Sequence, residues 1–539
     1  MKRIYSLLLL GTICLSLSAT VKPRHRIARQ QAEQTVAEPA DNVVAQAPLR
    51  VGSQANAPLK AQGSPNIPVL LVQFSDLRFT SGLDEGVECT TQADIDAVND
   101  FYHKFCNGDG VNDYYTAGGS RGAISEYFRD QSDEQFTPHF TVYGPVTLDK
   151  SYKYYGEDSG SSKDIHINDF YAEAIKKIQE KGIDWQNFDN DGNGNVDMVF
   201  FIYAGEGQNG VSESDEEAAY LIWPKEWPTG STIGGVRYGS YACCNEIYNG
   251  RADGIGVFVH ELSHALGLPD FYDYNYILYG MDYWDIMDSG CYCRNGYVPC
   301  GYSTYEKDFM GWKKLITLNT DEPQHLTLTP VSLGGDGYKI VNPANQNEYY
   351  VIENRQNKRW DAYISRGTSS QLYHGMLVTH VDFSASAWNG NRVNTVSRAE
   401  NQLLTIIPAD GTQDSYMYVY SAEDYELWMQ SAAGDPFPGI TEQHALEGEQ
   451  ATVHTTTGAT PGLMNQPLLN ITENADGTIE LDYCPFGNMP DDIASIRHDD
   501  GTLDVFDLKG RKVAQTHSPT QLNLPAGIYV VGKRKVKVR

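Results

Sequence analysis

The sequence has 539 residues and a mass of 59.9 kDa, enough for about three or four domains at ~150 residues each. Its 41 Lys and Arg against 70 Asp and Glu give a formal net charge of -29, which argues against nucleic acid and anionic membranes as partners, because phosphate binding needs clustered cationic side chains. A hydrophobic content of 41% and an aromatic content of 11% are typical of a globular protein.

Residues 1–19 are typical of a secretory signal peptide. Lys2 and Arg3 precede an apolar run, and small residues, Ser18 and Ala19, follow it. The alternative is a membrane anchor, but the run is short for a bilayer, which needs ~20 apolar residues. No other segment offers such a run, so we expect an exported protein with no membrane span once the leader is removed.

Residues 20–65 are rich in Gln, Ala and Pro and lack aromatic residues, which predicts a linker or the propeptide of a zymogen. At Ile67 the run IPVLLVQF predicts the first strand of a folded domain, over residues 66–315. Strands and helices mix there. Apolar residues at helical spacing predict a helix over 168–181, and DMVFFIYA predicts a buried strand over 197–204.

The segment DNDGNGNVD resembles a calcium-binding loop. Alternating oxygen-bearing side chains and a glycine for the sharp turn are what such a loop needs. The candidate calcium ligands are Asp189, Asp191, Asn193, Asn195 and Asp197. Phe200 stands where an EF-hand has a bidentate Glu, so we expect a shortened loop with a structural calcium ion. The alternative is a solvated turn rich in Asn, Asp and Gly.

The strongest signal is VFVHELSHALGLPDFYD. His260 and His264 are four residues apart, so both imidazoles project from one face of a helix. Gly267 permits a sharp turn, after which Asp270 brings a carboxylate. Two imidazoles and a carboxylate make a three-ligand catalytic zinc site that keeps a position for water. Glu261 is placed to accept a proton from that water.

Two alternatives remain for this segment. The histidines could be ordinary core or surface groups of an amphipathic helix, but HExxH followed by Gly267 and Asp270 is rare by chance. Asp273 is a competing carboxylate that ranks below Asp270. Downstream, WDIMDSG contains Met287, which by itself is more often core filler, but which suits a methionine turn beneath a metal.

HELSHALGLPD together with WDIMDSG resembles the immune-inhibitor-A-like secreted metallopeptidases. The similarity extends from IPVLLVQFSD near Ile67 to GDPFPG near Gly434, so it covers roughly residues 65–485. The resemblance implies an α+β, metzincin-like catalytic domain with His260, His264 and Asp270 as zinc ligands and Glu261 as the catalytic base. It also implies bound calcium and protein or peptide substrates.

After residue 315 helical signals nearly vanish, and short β-type segments predict an all-β accessory region over 316–485. Residues 493–539 predict a small C-terminal β-sandwich. Their DVFDLKGRKV and LPAGIYVV segments resemble type IX secretion sorting domains, which implies secretion machinery as a partner and release to the exterior or cell surface of a Gram-negative bacterium. The alternative is a plain β cap whose lysines guard an edge strand.

Eight cysteines follow the leader. An even count in an exported chain favours disulfides, although the pairing cannot be read from the sequence. Cys291, Cys293 and Cys300 could instead bind a metal, but their spacing matches no common zinc site.

The leading hypothesis is a secreted zinc-dependent endopeptidase made as a zymogen. The alternative from another class is a cell-surface adhesion or binding protein on an inactive peptidase scaffold. Intact His260, Glu261, His264 and Asp270 weigh against that alternative, since a pure binder need not keep a complete site.

Overall fold

The computed structural model describes the chain from residue 57 to residue 538 with gaps. The described ranges are 57–108, 121–212, 215–275, 278–318, 322–342, 345–364, 373–396, 402–413, 421, 432–447, 466–485, 503–507, 511–516, 524–525, 527–531 and 534–538. The predicted signal peptide and residues 20–56 of the predicted propeptide lie outside the described residues, so both stay predictions.

A mixed sheet of seven strands forms the centre of the predicted catalytic region. Its strands are β1 (Asn66–Gln73), β2 (His139–Thr147), β3 (Val196–Glu206), β4 (Lys225–Pro228), β5 (Thr232–Ile233), β6 (Val236–Tyr248) and β7 (Arg251–Ala252). The main order is β2-β1-β3-β6-β4, with β1, β2, β3 and β6 parallel and β4 antiparallel at the edge. β1 and β3 are almost continuously buried, which explains their unbroken apolar sequences.

Helices cover both faces of this sheet. The helices of this region are α1 (Gln92–Asn107), α2 (Ile124–Gln131), α3 (Tyr152–Tyr155), α4 (Ile167–Gln179), α5 (Gly256–Ala265) and α6 (Thr304–Phe309). Of these, α1, α4 and α5 pack directly on the sheet. Alternate residues of β3 face the two cores: Phe201 packs against Phe170 of α4, and Phe200 stacks on Phe258 of α5 with ring centroids 3.5 Å apart. The helix predicted over 168–181 corresponds to α4 and the strand predicted over 197–204 to β3.

The region after residue 315 contains two further sheets. Its elements are β8 (Ile316–Thr317), β9 (Gln324–Leu328), β10 (Tyr338–Asn342), β11 (Asn345–Arg355), β12 (Gly375–Asp382), α7 (Ala385–Asn389), β13 (Leu404–Ile406), β14 (Leu468–Glu473) and β15 (Ile479–Tyr483). One sheet has the order β13-β12-β11-β10-β8 and the other β14-β15-β9. The predicted all-β region therefore also includes a short helix, α7, and two 3-10 turns, Val331–Leu333 and Arg359–Tyr363.

The core of the catalytic region continues into this second region. Val351 of β11 and Val381 of β12 belong to the same buried cluster as Leu262 of α5, while Ile352 and Val378, on the opposite faces of those strands, pack between the two later sheets. The predicted boundary at residue 315 thus marks a change in secondary structure and not a break in the core.

The described C-terminal residues form a single antiparallel sheet. Its strands are β16 (Leu503–Phe506), β17 (Lys512–Thr516), β18 (Gly527–Val531) and β19 (Arg534–Val538), in the order β17-β16-β18-β19. The predicted sandwich needs a second layer, which is not among the described residues, so it stays a prediction. Across the described ranges no helix is both long enough and apolar enough to cross a bilayer.

The cysteines require a correction, because the expected disulfides are absent from the described part of the chain. All eight cysteines after the leader are described, and each is a buried free thiol. Burial raises the pKa of Cys89 to about 11 and of Cys243 to about 12. They act as small apolar core residues, and Cys291, Cys293 and Cys300 form no metal-ligating group among the described residues.

Candidate metal centre

Helix α5 places two imidazoles side by side in the core. His260 and His264 are 9% and 5% exposed, and their ring centroids lie 4.8 Å apart. Nδ1 of His260 lies 2.8 Å from the Ile286 carbonyl, and Nδ1 of His264 lies 2.7 Å from the Leu268 carbonyl. Because a carbonyl only accepts, each Nδ1 carries the proton, which leaves each Nε2 with a lone pair for a metal.

The turn after α5 brings a carboxylate to the same point. Gly267 has φ 100, a left-handed conformation that favours glycine, and Leu268 N donates to Ser263 O at 3.1 Å. Asp270 Oδ1 lies 3.2 Å from His260 Nε2 and 3.0 Å from His264 Nε2. Ligand atoms on a tetrahedral zinc with bonds of ~2.0–2.1 Å are about 3.3 Å apart, so this donor set has nearly the spacing that zinc requires.

The carboxylates around His260 and His264 favour a positive charge, either a proton or a cation, at this cluster. Burial lowers the pKa of His260, but its hydrogen bond to Asp270 and the charge of Glu261 outweigh burial and raise it to about 9. Burial likewise raises the pKa of Asp270, yet the two histidines hold it well below its usual range. A zinc ion would replace the proton that this raised pKa places on His260. Two imidazoles and a carboxylate are a donor set that suits zinc, so the residues present fit this metal.

The two remaining predicted site residues also lie in the core around α5. Glu261 is 6% exposed. Met287 is fully buried, and its carbonyl accepts from Phe271 N at 3.0 Å, which ties the WDIMDSG segment to the residue after Asp270. The same segment supplies the Ile286 carbonyl that orients His260.

The competing carboxylate has a different role. Asp273 is 1% exposed and accepts from the backbone N of Asn275 at 3.0 Å and of Leu278 at 3.2 Å. It therefore caps its own loop, and the metal-ligating group of the described residues includes Asp270 instead.

Sequence reasoning missed two residues that contact Asp270. Tyr274 OH donates to Asp270 Oδ2 at 2.6 Å, and Asn391 Nδ2 donates to the same oxygen at 2.6 Å. Tyr274 follows Asp270 by only four residues, so an inspection of the sequence next to the motif could have identified it. Asn391 lies 121 positions after Asp270, and nothing local in the sequence connects the two residues.

The calcium-like loop brings three of its five predicted ligands together. Carboxylate oxygens of Asp189, Asp191 and Asp197 form a second potential metal-ligating group. The pKa of Asp197 rises to about 6, chiefly through burial and further through the charges of Asp191 and Asp189, although Asn190 opposes the rise by donating to Asp197. A cation would relieve this repulsion.

The two asparagines of the loop are arranged differently. Asn193 Nδ2 donates to Asp191 Oδ2 at 2.9 Å, and Asn193 Oδ1 accepts from Asn195 N at 2.9 Å. Both side chains therefore bond within the loop, and their role as calcium ligands stays a prediction. Asn190, which holds Asp197, is a further residue that the sequence reasoning missed.

A cavity of about 410 Å³ joins the two clusters. Its lining includes His264 and Gly267 from the zinc-type site and Asp191 and Asp197 from the loop. The two predicted metal sites, about 70 residues apart in sequence, are thus neighbours in space.

Comparison with known proteins bears on this geometry. Residues 59–315 match the family described as Immune inhibitor A peptidase M6, catalytic domain. The matched range contains α5, the Asp270 turn, the WDIMDSG segment and the calcium-like loop. The M6 peptidase match thus covers every candidate zinc and calcium ligand, together with Glu261 and Met287.

Two curated relatives agree with the M6 match. The chain is 25% identical over 337 residues to "Immune inhibitor A" of Bacillus thuringiensis subsp. alesti, covering 52% of this chain and 48% of that protein. It is 26% identical over 229 residues to "Pre-pro-metalloprotease PrtV" of Vibrio cholerae serotype O1 (strain M66-2), covering 36% of this chain and 24% of the relative. The chain thus spans less than half the length of these relatives. The matches support a metallopeptidase, and a metallopeptidase implies a metal, typically zinc.

Proposed function

We propose that this chain is a zinc-dependent endopeptidase that acts on protein substrates, with His260, His264 and Asp270 as zinc ligands and Glu261 as the general base. One observation carries the proposal: Asp270 Oδ1 lies 3.0 to 3.2 Å from both imidazole Nε2 atoms, beside the buried Glu261. The M6 match supports it. A binding protein on an inactive scaffold would have no need for so complete a donor set.

Each group of the proposed site has a distinct role in peptide hydrolysis. Zinc, when bound, polarises the scissile carbonyl and lowers the pKa of water toward ~7. The Ile286 and Leu268 carbonyls fix the ring orientation of the two histidines. Glu261 takes the proton from the attacking water and returns it to the leaving amine. Its low exposure, 6%, keeps the carboxylate out of bulk solvent.

Replacing Glu261 with glutamine tests this function. Glu261→Gln keeps the size of the side chain but cannot accept the proton, so casein hydrolysis should fall by about 10²- to 10⁴-fold. Zinc content should stay at the wild-type level, because Glu261 is not a ligand. Glu180→Gln, on the exposed end of α4, is the matched control and should keep full activity. Undiminished hydrolysis by a zinc-loaded Glu261→Gln variant would contradict the proposal.

We infer that the loop from Asp189 to Asp197 holds a structural calcium ion through its three carboxylates. Hard carboxylate oxygens suit calcium, and the pKa of Asp197 is raised mainly by burial and further by the charges of Asp191 and Asp189, which a bound cation would offset. Calcium should raise the melting temperature of the zinc-loaded protein, and Asp191→Asn should reduce that increase. Equal melting temperatures with and without calcium would show that the loop is a solvated turn.

Export as a zymogen is part of the proposal. Leu59 N donates to Ala265 O at 3.1 Å, and Ala57 and Pro58 line the cavity that reaches His264. Residues 57–59 therefore lie beside the proposed zinc site, and a propeptide attached there would obstruct substrate. Leu59 and Ala61 are buried in the core, so activation should remove residues only up to about 57. Sequencing the N-terminus of the mature protein measures where the cleavage occurs.

For the C-terminal sheet we propose a role in secretion by the type IX route of a Gram-negative bacterium. The described strands from β16 to β19 form a sheet of their own, separate from the three preceding sheets. Deleting residues 493–539 should stop release from the cell while the retained protein keeps its zinc. Normal release of the shortened chain would reject the sorting role.

A further inference from the structure

A short segment of the second region runs along the loop that contains Asp270. This segment, residues 391–395, is here called the brace. It follows α7, where Asn391 has φ 52 and its backbone N donates to Trp388 O at 3.1 Å. Trp388 is fully buried, so the brace starts from a fixed point in the core.

The brace bonds to the Asp270 loop at three successive places. Asp270 N donates to Asn391 Oδ1 at 2.6 Å, and Asn394 Nδ2 donates to Phe271 O at 2.6 Å. Thr395 Oγ1 accepts from Tyr274 N at 3.1 Å. The loop backbone is thus held by several residues, and Asn391 also bonds to the Asp270 carboxylate.

The two oxygens of Asp270 have different surroundings. Oδ2 accepts from Asn391 Nδ2 and from Tyr274 OH, both at 2.6 Å. Oδ1 faces the two imidazoles at 3.0 and 3.2 Å. Two donors on one oxygen fix the carboxylate torsion and turn the other oxygen toward the point where the three candidate ligands meet.

We propose that Asn391 is a positioning residue for the metal centre: it orients Asp270 as a one-oxygen zinc ligand and so makes the second region part of the site. The inference rests on the proposed zinc site. Partners that orient a ligand commonly contribute 10- to 100-fold in metal affinity. Asn391 is 8% exposed, so its amide is held against Asp270 largely out of bulk water.

The decisive variant is Asn391→Gly. Glycine accepts the left-handed backbone at φ 52, so the variant removes the side-chain bonds to Asp270 without adding backbone strain. The zinc dissociation constant, measured by competition with a chromophoric chelator, should rise 10- to 100-fold. The cobalt-substituted protein should show altered d–d absorption, because the carboxylate is free to rotate.

Two control variants separate positioning from general support. Asn470→Gly removes another asparagine with φ 54 that donates to a carboxylate, Asp482 Oδ2 at 2.7 Å, on the exposed surface of the second region. Thr395→Val removes a brace-to-loop bond without touching Asp270. Both should bind zinc within about twofold of the wild type, a difference below ~0.4 kcal/mol.

The outcomes distinguish this inference from the proposed function. Suppose that Asn391→Gly binds zinc with wild-type affinity while His264→Ala loses the metal. This result would overturn the role of Asn391 but would leave the proposed zinc site intact. An equal loss of affinity in Thr395→Val would also overturn it, since the brace would then act only by anchoring the loop. If the wild type binds no zinc, both the site and the inference are wrong.

Discussion

At the scale of single residues, two carboxyl groups next to the WDIMDSG segment hold their protons to higher pH than usual, because they are buried together. Asp285 and Glu306 are both fully buried and hydrogen-bonded to each other. Burial raises the pKa of Asp285 to about 6, and burial together with Asp285 raises the pKa of Glu306 well above its ordinary value. Asp285 Oδ1 also accepts from Met287 N at 2.8 Å, so this pair supports the segment that orients His260.

The raised pKa of Asp285 predicts a dependence of stability on pH. The folded protein holds a proton that the unfolded chain releases, so this contribution is complete below about pH 4 and is lost as the pH rises through about 6. Asp285→Asn keeps the acceptor for Met287 N but does not titrate. In urea unfolding, its free energy of unfolding relative to wild type should increase by about 1–3 kcal/mol from pH 4.5 to pH 7.

Asp84→Asn is the control for this experiment, because Asp84 is exposed and the substitution removes the same charge. Its free energy of unfolding should follow the wild type at every pH. Parallel curves for Asp285→Asn and the wild type would show that Asp285 is ionised in the folded protein throughout this range.

At the scale of elements, the turn that ends α5 is what converts a helix with two histidines into a three-ligand site. Gly267 has φ 100, and Asp270 follows three residues later with its carboxylate at His260 and His264. A side chain at position 267 would favour another backbone conformation and would carry Asp270 away from the imidazoles.

Gly267→Ala therefore has two expected effects. The free energy of unfolding should fall by about 1–2 kcal/mol, and zinc affinity should fall as well, because the ligand that follows the turn is displaced. Gly182→Ala is the matched control. Gly182 has φ 83 just after α4, and a Cβ atom added there would have no neighbouring atom within 4 Å. It should lose similar stability and no zinc affinity. Equal zinc affinity in both variants would contradict the role of the turn.

The same elements show how far the sequence was informative. Helix α5 and its turn were predictable, because ligand spacing, the apolar helix face and Gly267 all lie within eleven residues, His260 to Asp270. The three carboxylates of the calcium loop were predictable from their alternating spacing, but the hydrogen bond from Asn190 to Asp197 was not. Asn391 was not predictable, since its contact with Asp270 is set by how β11, β12 and α7 pack on the catalytic core.

At the scale of the whole molecule, the catalytic region and the region after residue 315 depend on each other. Arg355 of β11 is fully buried, pairs with Glu353 and Asp361, and donates to the carbonyls of Trp284 and Gly301 in the catalytic region. Secondary-structure patterns suggested two modules, because the sequence shows where helices stop but not which strand faces are buried.

Truncation tests this dependence. A chain that ends at residue 315 loses the partners of the shared core and of the Asp270 loop, so it should show no cooperative thermal unfolding and retain no zinc. A chain that ends at residue 492 keeps these contacts and should match the full chain in melting temperature and zinc content. A shorter chain with a sharp transition and bound zinc would mean that the first region folds alone.

Some of the acidic residues that give the net charge of -29 lie in the two groups of candidate metal ligands. Asp270 supplies the carboxylate among the histidines, and Asp189, Asp191 and Asp197 supply the second group. Most of the other acidic residues that the structure describes are not buried, so they are available for solvation.

The most direct test of the account is the zinc content of the purified full chain and of His264→Ala. After dialysis against metal-free buffer, inductively coupled plasma mass spectrometry should measure one zinc ion per chain for the wild type. It should give less than a tenth of that for His264→Ala, which loses one of the three proposed ligands. A wild type without zinc, or a His264→Ala variant that keeps it, would contradict the central claim.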